Sequence, residues 1–144
     1  MNRLATIFVA IALPLIGISI GTGTASLAGE RVFELRTFTV SSGNLDALNA
    51  RFRDHTVKLF EKHGMTNIGY WNLMKDKVGA DSMLTYLLAH QSQASAKENF
   101  GRFASDEAWV AARKGSEERA GGPLTIKGGV KSVFMKAIDY SPIR

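Results

Sequence analysis

Three histidines, one mid-strand arginine and a group of aromatic residues are the side chains best placed to do chemistry. Arg36 sits in the alternating run Val32–Val40, on the face opposite Phe33 and Leu35. Facing an enclosed lumen, its guanidinium would hold a carboxylate or phosphate bidentately. A salt bridge to Glu34, or to an acid on a neighbouring strand, is the plainer alternative, because buried charges are usually paired. His55 and His63 lie eight residues apart, about two helical turns. That spacing is no i, i+4 metal pair, and no HExxH pattern intervenes. His63 precedes Gly64 and is placed to meet the last carbonyls of its helix. His55 is either a general base at the end of a lumen or a half-buried, hydrogen-bonded histidine. His90 closes a strand in register with Tyr86, and Tyr70 and Trp71 lie on the strand before it. Tyr70, Trp71, Tyr86 and His90 together either line a pocket for a flat apolar ligand or pack as core and interface.

Other chemistries lack their residues. There is no cysteine, so thiol catalysis and thiolate metal sites are excluded, and no disulfide supports the fold. No glycine-rich phosphate loop occurs, since Gly121-Gly122 and Gly128-Gly129 do not join a strand to a helix start. Serine-nucleophile motifs and clustered carboxylates are absent too. We therefore expect neither metal nor cofactor.

The elements that must position these residues are read from periodicity. Val32–Val40 is a strand whose second face (Val32, Glu34, Arg36, Phe38, Val40) suits a covered but polar surface. Helix-start chemistry at Ser41–Asn44 opens a helix predicted over residues 44–63, with Leu45, Leu48, Phe52, Leu59 and Phe60 as its apolar stripe and Gly64 as its C-cap. A second strand is predicted over 66–74, a hairpin-type loop over 75–81, and a third strand over 83–90. Nearly every position of the third strand is apolar, so both its faces should be covered. Ser92 opens a second helical region that restarts at Ser105-Asp106-Glu107 and stops at Gly121-Gly122-Pro123. A fourth strand is predicted over 130–138. This is an α+β chain in the βαββαβ order of the ferredoxin-like fold. One helical layer covers one sheet face, and a second subunit is the economical cover for the other.

The first residues stand apart from this domain. A basic start (Met1–Arg3), an apolar run (Leu4–Ile20) and small residues to Gly29 have the layout of a secretory signal peptide. Ser26-Leu27-Ala28 fits a cleavage site, giving a signal at 1–28 and a domain at 30–144. An uncleaved anchor is the alternative, although the run is short for the ~20 residues a span requires. The protein is thus expected to be exported, to the periplasm or beyond, with no stable membrane span after cleavage. Net charge is +5, with the basic residues scattered, which disfavours nucleic-acid binding.

Several runs occur together in a recognisable order: VFELRTFT at 32–39, RFRDHT at 51–56, LFEKHGM at 59–65, IGYW at 68–71 and LLAH at 87–90. Phe103 with Asp106–Trp109, and Asp139–Pro142 at the end, complete the set. In these the chain resembles the NIPSNAP family across essentially the whole predicted domain. The resemblance implies a dimeric α/β-barrel, in which two ferredoxin-like sheets face each other across a shared lumen. Animal members of that family are associated with mitochondria and described as adaptor or vesicle-trafficking proteins, whereas its bacterial members have no established activity. Phe100 stands where many relatives carry tryptophan, and Leu73-Met74 replaces a proline-containing turn. The expectation is a homodimer binding a small ligand in the lumen, through Arg36, His55, Tyr70, Trp71, Tyr86 and His90. The alternatives are a cofactor-independent monooxygenase or isomerase, a haem protein with a histidine ligand, or a protein- or membrane-interaction module.

Overall fold

A computed structural model of the chain describes residues 31–144. The predicted signal segment and its cleavage site lie outside the described residues. In order, the elements are β1 (Val32–Val40), α1 (Leu45–Arg51), a π-helical stretch (Phe52–Thr56), α2 (Val57–Lys62), β2 (Thr66–Asn72), β3 (Met83–His90), α3 (Gln93–Ala104), α4 (Glu107–Arg119) and β4 (Thr125–Lys136). The four strands form one antiparallel sheet in the order β2-β3-β1-β4, and the helices lie against one of its faces. This is the ferredoxin-like α+β arrangement that the element order predicted. Among the described residues no helix is long and apolar enough to cross a membrane.

The first helical region differs from its prediction in an instructive way. Phe60 lies eight residues after Phe52, whereas two α turns take ~7.2, so a regular helix would set Phe60 about 80° round from Phe52, at the edge of the apolar stripe. The wider π turn, in which the Val57 amide donates to the Phe52 carbonyl, absorbs about one residue and brings both rings inward. Thr56, buried on that side, donates from its hydroxyl to the Arg51 carbonyl at 3.2 Å. At the start, Asn44 occupies the N-cap but makes no side-chain cap bond. The later caps follow the sequence: Ser92 and Ser95 form a reciprocal capping box on α3, and Asp106 accepts from the Ala108 amide to start α4.

Three strand ends also move, one of them the end of β4, which stops at Lys136 and not at the predicted Ile138. β2 stops at Asn72, leaving Leu73 and Met74 exposed in the loop to β3. β4 begins at Thr125, well before the predicted Val130, because the pair Gly128-Gly129 forms an irregularity inside the strand and not a loop before it. The register jumps from Phe38↔Val130 to Val40↔Thr125 across this point. Gly128 has φ +72°, and a Cβ on Gly129 would meet the Thr39 carbonyl oxygen at 2.6 Å. Only glycine fits both demands.

The core lies between sheet and helices. Leu48, Phe52, Leu59 and Phe60 from the first helical region meet Leu84, Tyr86 and Leu88 of β3, with Phe103 of α3 and Leu124 closing the ends. On the other sheet face, Leu35 is flanked by Leu87 and Val133, and Phe33 by Ala89 and Met135. Val133 there is 58 % exposed, and Leu87 is only partly covered. Burial of both faces of β3 is thus complete on the helix side alone within one chain. The C-terminal segment returns over one end of this outer face. Arg31 Nη1 donates to the Arg144 carbonyl at 3.3 Å, and a shallow cleft of ≈ 260 Å³ separates Phe33 and Met135 from Ile138 and Ile143.

Candidate functional site around Glu34, Arg36 and His90

Strand alternation puts Glu34, Arg36, Phe38 and Val40 on the helix-covered face. Arg36 therefore lies beneath the helices and not on the outer face, where an inter-sheet lumen would be. The sequence shows that β1 has two faces but not which of them the helices take, and this corrects the predicted lumen position. From β4, Ser132 lies opposite Arg36 and Phe134 opposite Glu34; from β3, Tyr86 lies opposite Arg36. His90 ends β3 on the same face. The capping box at Ser92 then turns the chain directly into α3, which brings the Phe100 ring over the group.

Glu34 is the hub, 2 % exposed. Its Oε1 accepts from Arg36 Nη1 at 2.8 Å and from the Ser132 hydroxyl at 2.5 Å, and its Oε2 lies 3.0 Å from His90 Nε2. Burial acts to raise the carboxyl pKa, but the bonds from His90, Ser132 and Arg36 together hold it below the ordinary carboxylate value. Glu34 is an ionised acceptor, so the shared proton belongs on His90 Nε2. A neutral ring so oriented carries its lone pair on Nδ1. Nδ1 is buried without a hydrogen-bond partner, and so is Arg36 Nε, while the Tyr86 hydroxyl lies against the Arg36 guanidinium. Burial, the largest influence, pushes the Tyr86 phenol well above its usual value; Arg36 acts the other way, and Glu34 adds to the rise. It stays a hydrogen-bond donor. The guanidinium carbon of Arg36 stands 4.4 Å from the centre of Phe100, and the rings of Phe100 and Phe134 lie 6.0 and 6.2 Å from that of His90. Arg36 keeps 18 % of its side chain exposed, whereas Glu34, Tyr86 and His90 are buried.

The other predicted site residues separate. Tyr70 stacks on Tyr86 at 5.4 Å, and Phe52 and Phe38 fill the space around the two rings, so Tyr70 is core packing and Tyr86 meets the Glu34 group only through its hydroxyl. The Tyr70 hydroxyl donates to Asn67 Oδ1, and burial followed by the charge of Glu61 pushes its phenol upward. Trp71 faces the opposite side of the sheet, 52 % exposed, with its ring folded against Gly69. A single pocket of Tyr70, Trp71, Tyr86 and His90 is therefore not formed. His55 lies exposed beside Arg51 and Asp54 on a cleft between α1 and α4, away from the Glu34 group. His63 does not meet its helix carbonyls; its Nε2 lies 2.7 Å from Asp106 Oδ2, which Lys62 also contacts at 2.7 Å. Sequence reading missed Ser132 as a partner and the burial of Arg51. The i, i+2 spacing of Glu34 and Arg36 is the one local signal for the ion pair.

Fold and polar cluster together define a ferredoxin-like α+β domain with a buried ionic group between its sheet and α3. The chain belongs to the NIPSNAP family, whose model matches residues 33–142. Among solved structures it is similar to a NIPSNAP family protein of unknown function from Agrobacterium tumefaciens, with 18% identity and TM-score 0.65 over 81% of this chain and 96% of that one. A second Agrobacterium tumefaciens NIPSNAP family protein matches at 18% identity and TM-score 0.64, covering 79% of this chain and 99% of that one. A NIPSNAP-like domain protein from Burkholderia xenovorans matches at 11% identity and TM-score 0.64, covering 79% and 90%. At these identities the likeness establishes the fold. No curated protein matches the chain.

Proposed function

We propose that this NIPSNAP protein is an exported homodimer that binds a small ligand between α3 and the sheet, over Arg36, Tyr86 and His90. The observation that carries the binding site is the convergence of two buried, unpartnered nitrogens, His90 Nδ1 and Arg36 Nε, with the Tyr86 hydroxyl around one ionised carboxylate. Each such atom left unpaired costs ~1–3 kcal/mol, and a ligand that pairs with them recovers that energy. Arg36 Nε and Tyr86 offer donors, and the neutral form of the His90 ring offers an acceptor at Nδ1. The complementary ligand has an acceptor oxygen beside a hydroxyl, and a flat body suits the rings of Phe100 and Phe134.

Salicylate carries that arrangement and serves as the probe. By titration calorimetry we expect saturable binding that weakens about tenfold in Arg36→Met and about fivefold in Tyr86→Phe, the losses of one charged and one neutral hydrogen bond. Binding that both variants leave unchanged sinks this site. A second reading, proton transfer, is favoured by the Glu34–His90 pair itself: the carboxylate orients the ring so that Nδ1 can take a proton from a bound ligand.

The homodimer is supported by the uncovered apolar strip of Leu35, Leu87, Val133 and Met135, which a monomer leaves in water. Export is supported by the basic start, apolar run and small-residue exit of residues 1–29. N-terminal sequencing of the protein from fractionated cells tests it, with Gly29 expected as the first residue and Met1 as the contrary result.

A further inference from the structure

A second cleft, of ≈ 280 Å³, lies between α1 with its π-helical extension and α4, and shares no residue with the Glu34 cluster. Alanines at 47, 50, 112 and 120 form its apolar wall, and their small side chains leave the space open. At its base is Arg51, an arginine only 6 % exposed. Its guanidinium lies 5.2 Å from the centre of the Trp109 ring, and Nη1 donates to the Ser116 hydroxyl at 3.3 Å. The nearest acid, Glu117, pairs with Nη1 at 3.6 Å, longer than a close ion pair, and is itself partly solvated. Nε is buried with no partner at all.

A guanidinium presents five donors in a rigid fork, and this one is poorly supplied with acceptors. Its charge is compensated only by that long pair with Glu117. Burial lowers its pKa, Glu117 opposes that shift, and Arg113 adds to it. Around the mouth, Arg119 and His55 face a single lining acid, Asp54. The backbone is distorted here as well: the π stretch starts immediately after Arg51, and Thr56 takes the Arg51 carbonyl. π distortions inside α-helices recur at functional positions. This one follows a buried arginine and carries the histidine on the cleft wall.

We propose that this cleft binds a small oxyanion, a carboxylate or phosphoryl group, with Arg51 as its buried anchor and Arg119 and His55 at its mouth. An anion here supplies the acceptors that the Arg51 fork lacks, in a site screened from water where bidentate pairing is strongest. The volume is near the ~300 Å³ lower end of small-ligand sites, which suits a compact metabolite and not a polymer.

The test is titration calorimetry at constant ionic strength, with inorganic phosphate and succinate as the two probes and chloride as the reference anion. We expect one saturable site for at least one probe, and whichever binds names the source of the oxyanion. Arg119→Ala should weaken binding two- to fivefold and Asp54→Asn should tighten it by a similar factor, as exposed charges do. Arg51→Gln should weaken it more than about tenfold, the loss of a charge-assisted pair. Should that buried substitution prevent folding, the two exposed variants decide the matter alone. Arg36→Met leaves binding unchanged, so failure here and failure of the Glu34-cluster reading are separable. Lack of saturable binding for both probes overturns the proposal, and so does affinity indifferent to Arg119→Ala and Asp54→Asn.

Discussion

Replacing Glu34 by glutamine removes the one negative charge on which Arg36, Ser132 and His90 converge. Taking one partner from a buried ion pair costs ~3–5 kcal/mol, because the other charge is left uncompensated. Glutamine keeps an acceptor of the same reach, and Arg36 retains 18 % of its side chain in solvent. Both lower the cost, to about 2–3 kcal/mol. For a domain of this size that is a fall in Tm of roughly 8–20 °C. The pH dependence follows from the direction of the Glu34 shift. Its pKa is lower in the folded chain than in the unfolded one, so the unfolded chain binds more protons between the two values. The stability it contributes is therefore complete above the unfolded value, ~4.3, and is lost as pH falls through the folded one. Urea melts followed by circular dichroism at pH 7 and pH 3 should show a wide gap between parent and Glu34→Gln that narrows in acid. The double variant Glu34→Gln/Arg36→Met should regain part of the loss, since the uncompensated charge goes too. A Glu34→Gln variant within ~0.5 kcal/mol of the parent at pH 7, where surface substitutions normally fall, would refute the reasoning, and so would a gap that stays constant in acid.

Gly129→Ala should destabilise the chain by about 1–3 kcal/mol, the range of core overpacking, because the added Cβ meets the Thr39 carbonyl at 2.6 Å; an unchanged urea midpoint speaks against the strand irregularity. Leu88→Ala, at a fully buried core position, should cost ~2–5 kcal/mol in the same assay. Val133→Arg puts a charge on the uncovered sheet face and should convert a dimer to a monomer in sedimentation velocity without loss of helical signal; a dimer that survives it excludes that face as the interface. Asp106→Asn should lower Tm at neutral pH and flatten the acid limb of the stability profile. Lys62 and His63, in that order, hold the Asp106 carboxyl below its usual value, and its contribution is lost as pH falls.

Much of the fold was legible because alternation and helical spacing are local. The Val32–Val40 and Met83–His90 strands, the caps at Ser92 and Asp106, and the turn at Gly64 stand where their residue types put them. The polar face of β1 was legible as covered, yet the identity of its cover was not, because a strand's period is the same whichever layer lies above it. That one ambiguity moved Arg36 from an inter-sheet lumen to the underside of α3. Gly128-Gly129 reads as a loop in one dimension and acts as a strand irregularity only because Thr39 passes beside it. The π stretch was not legible, because an eight-residue interval such as Phe52 to Phe60 also falls within the apolar stripe of a regular α-helix. His63 with Asp106, and Glu34 with Ser132, are separated by 43 and 98 residues and leave no local trace.

The account rests most heavily on the orientation of the His90 ring, which long-range proton–nitrogen correlation NMR reads directly at pH 8.5, where free imidazole is neutral. We expect Nε2 to carry the proton it shares with Glu34, and Nδ1 to show the shift of a bare lone pair that moves when salicylate is added. A ring protonated on Nδ1, or an Nδ1 resonance indifferent to salicylate at saturation, would contradict a ligand site over Arg36, Tyr86 and His90.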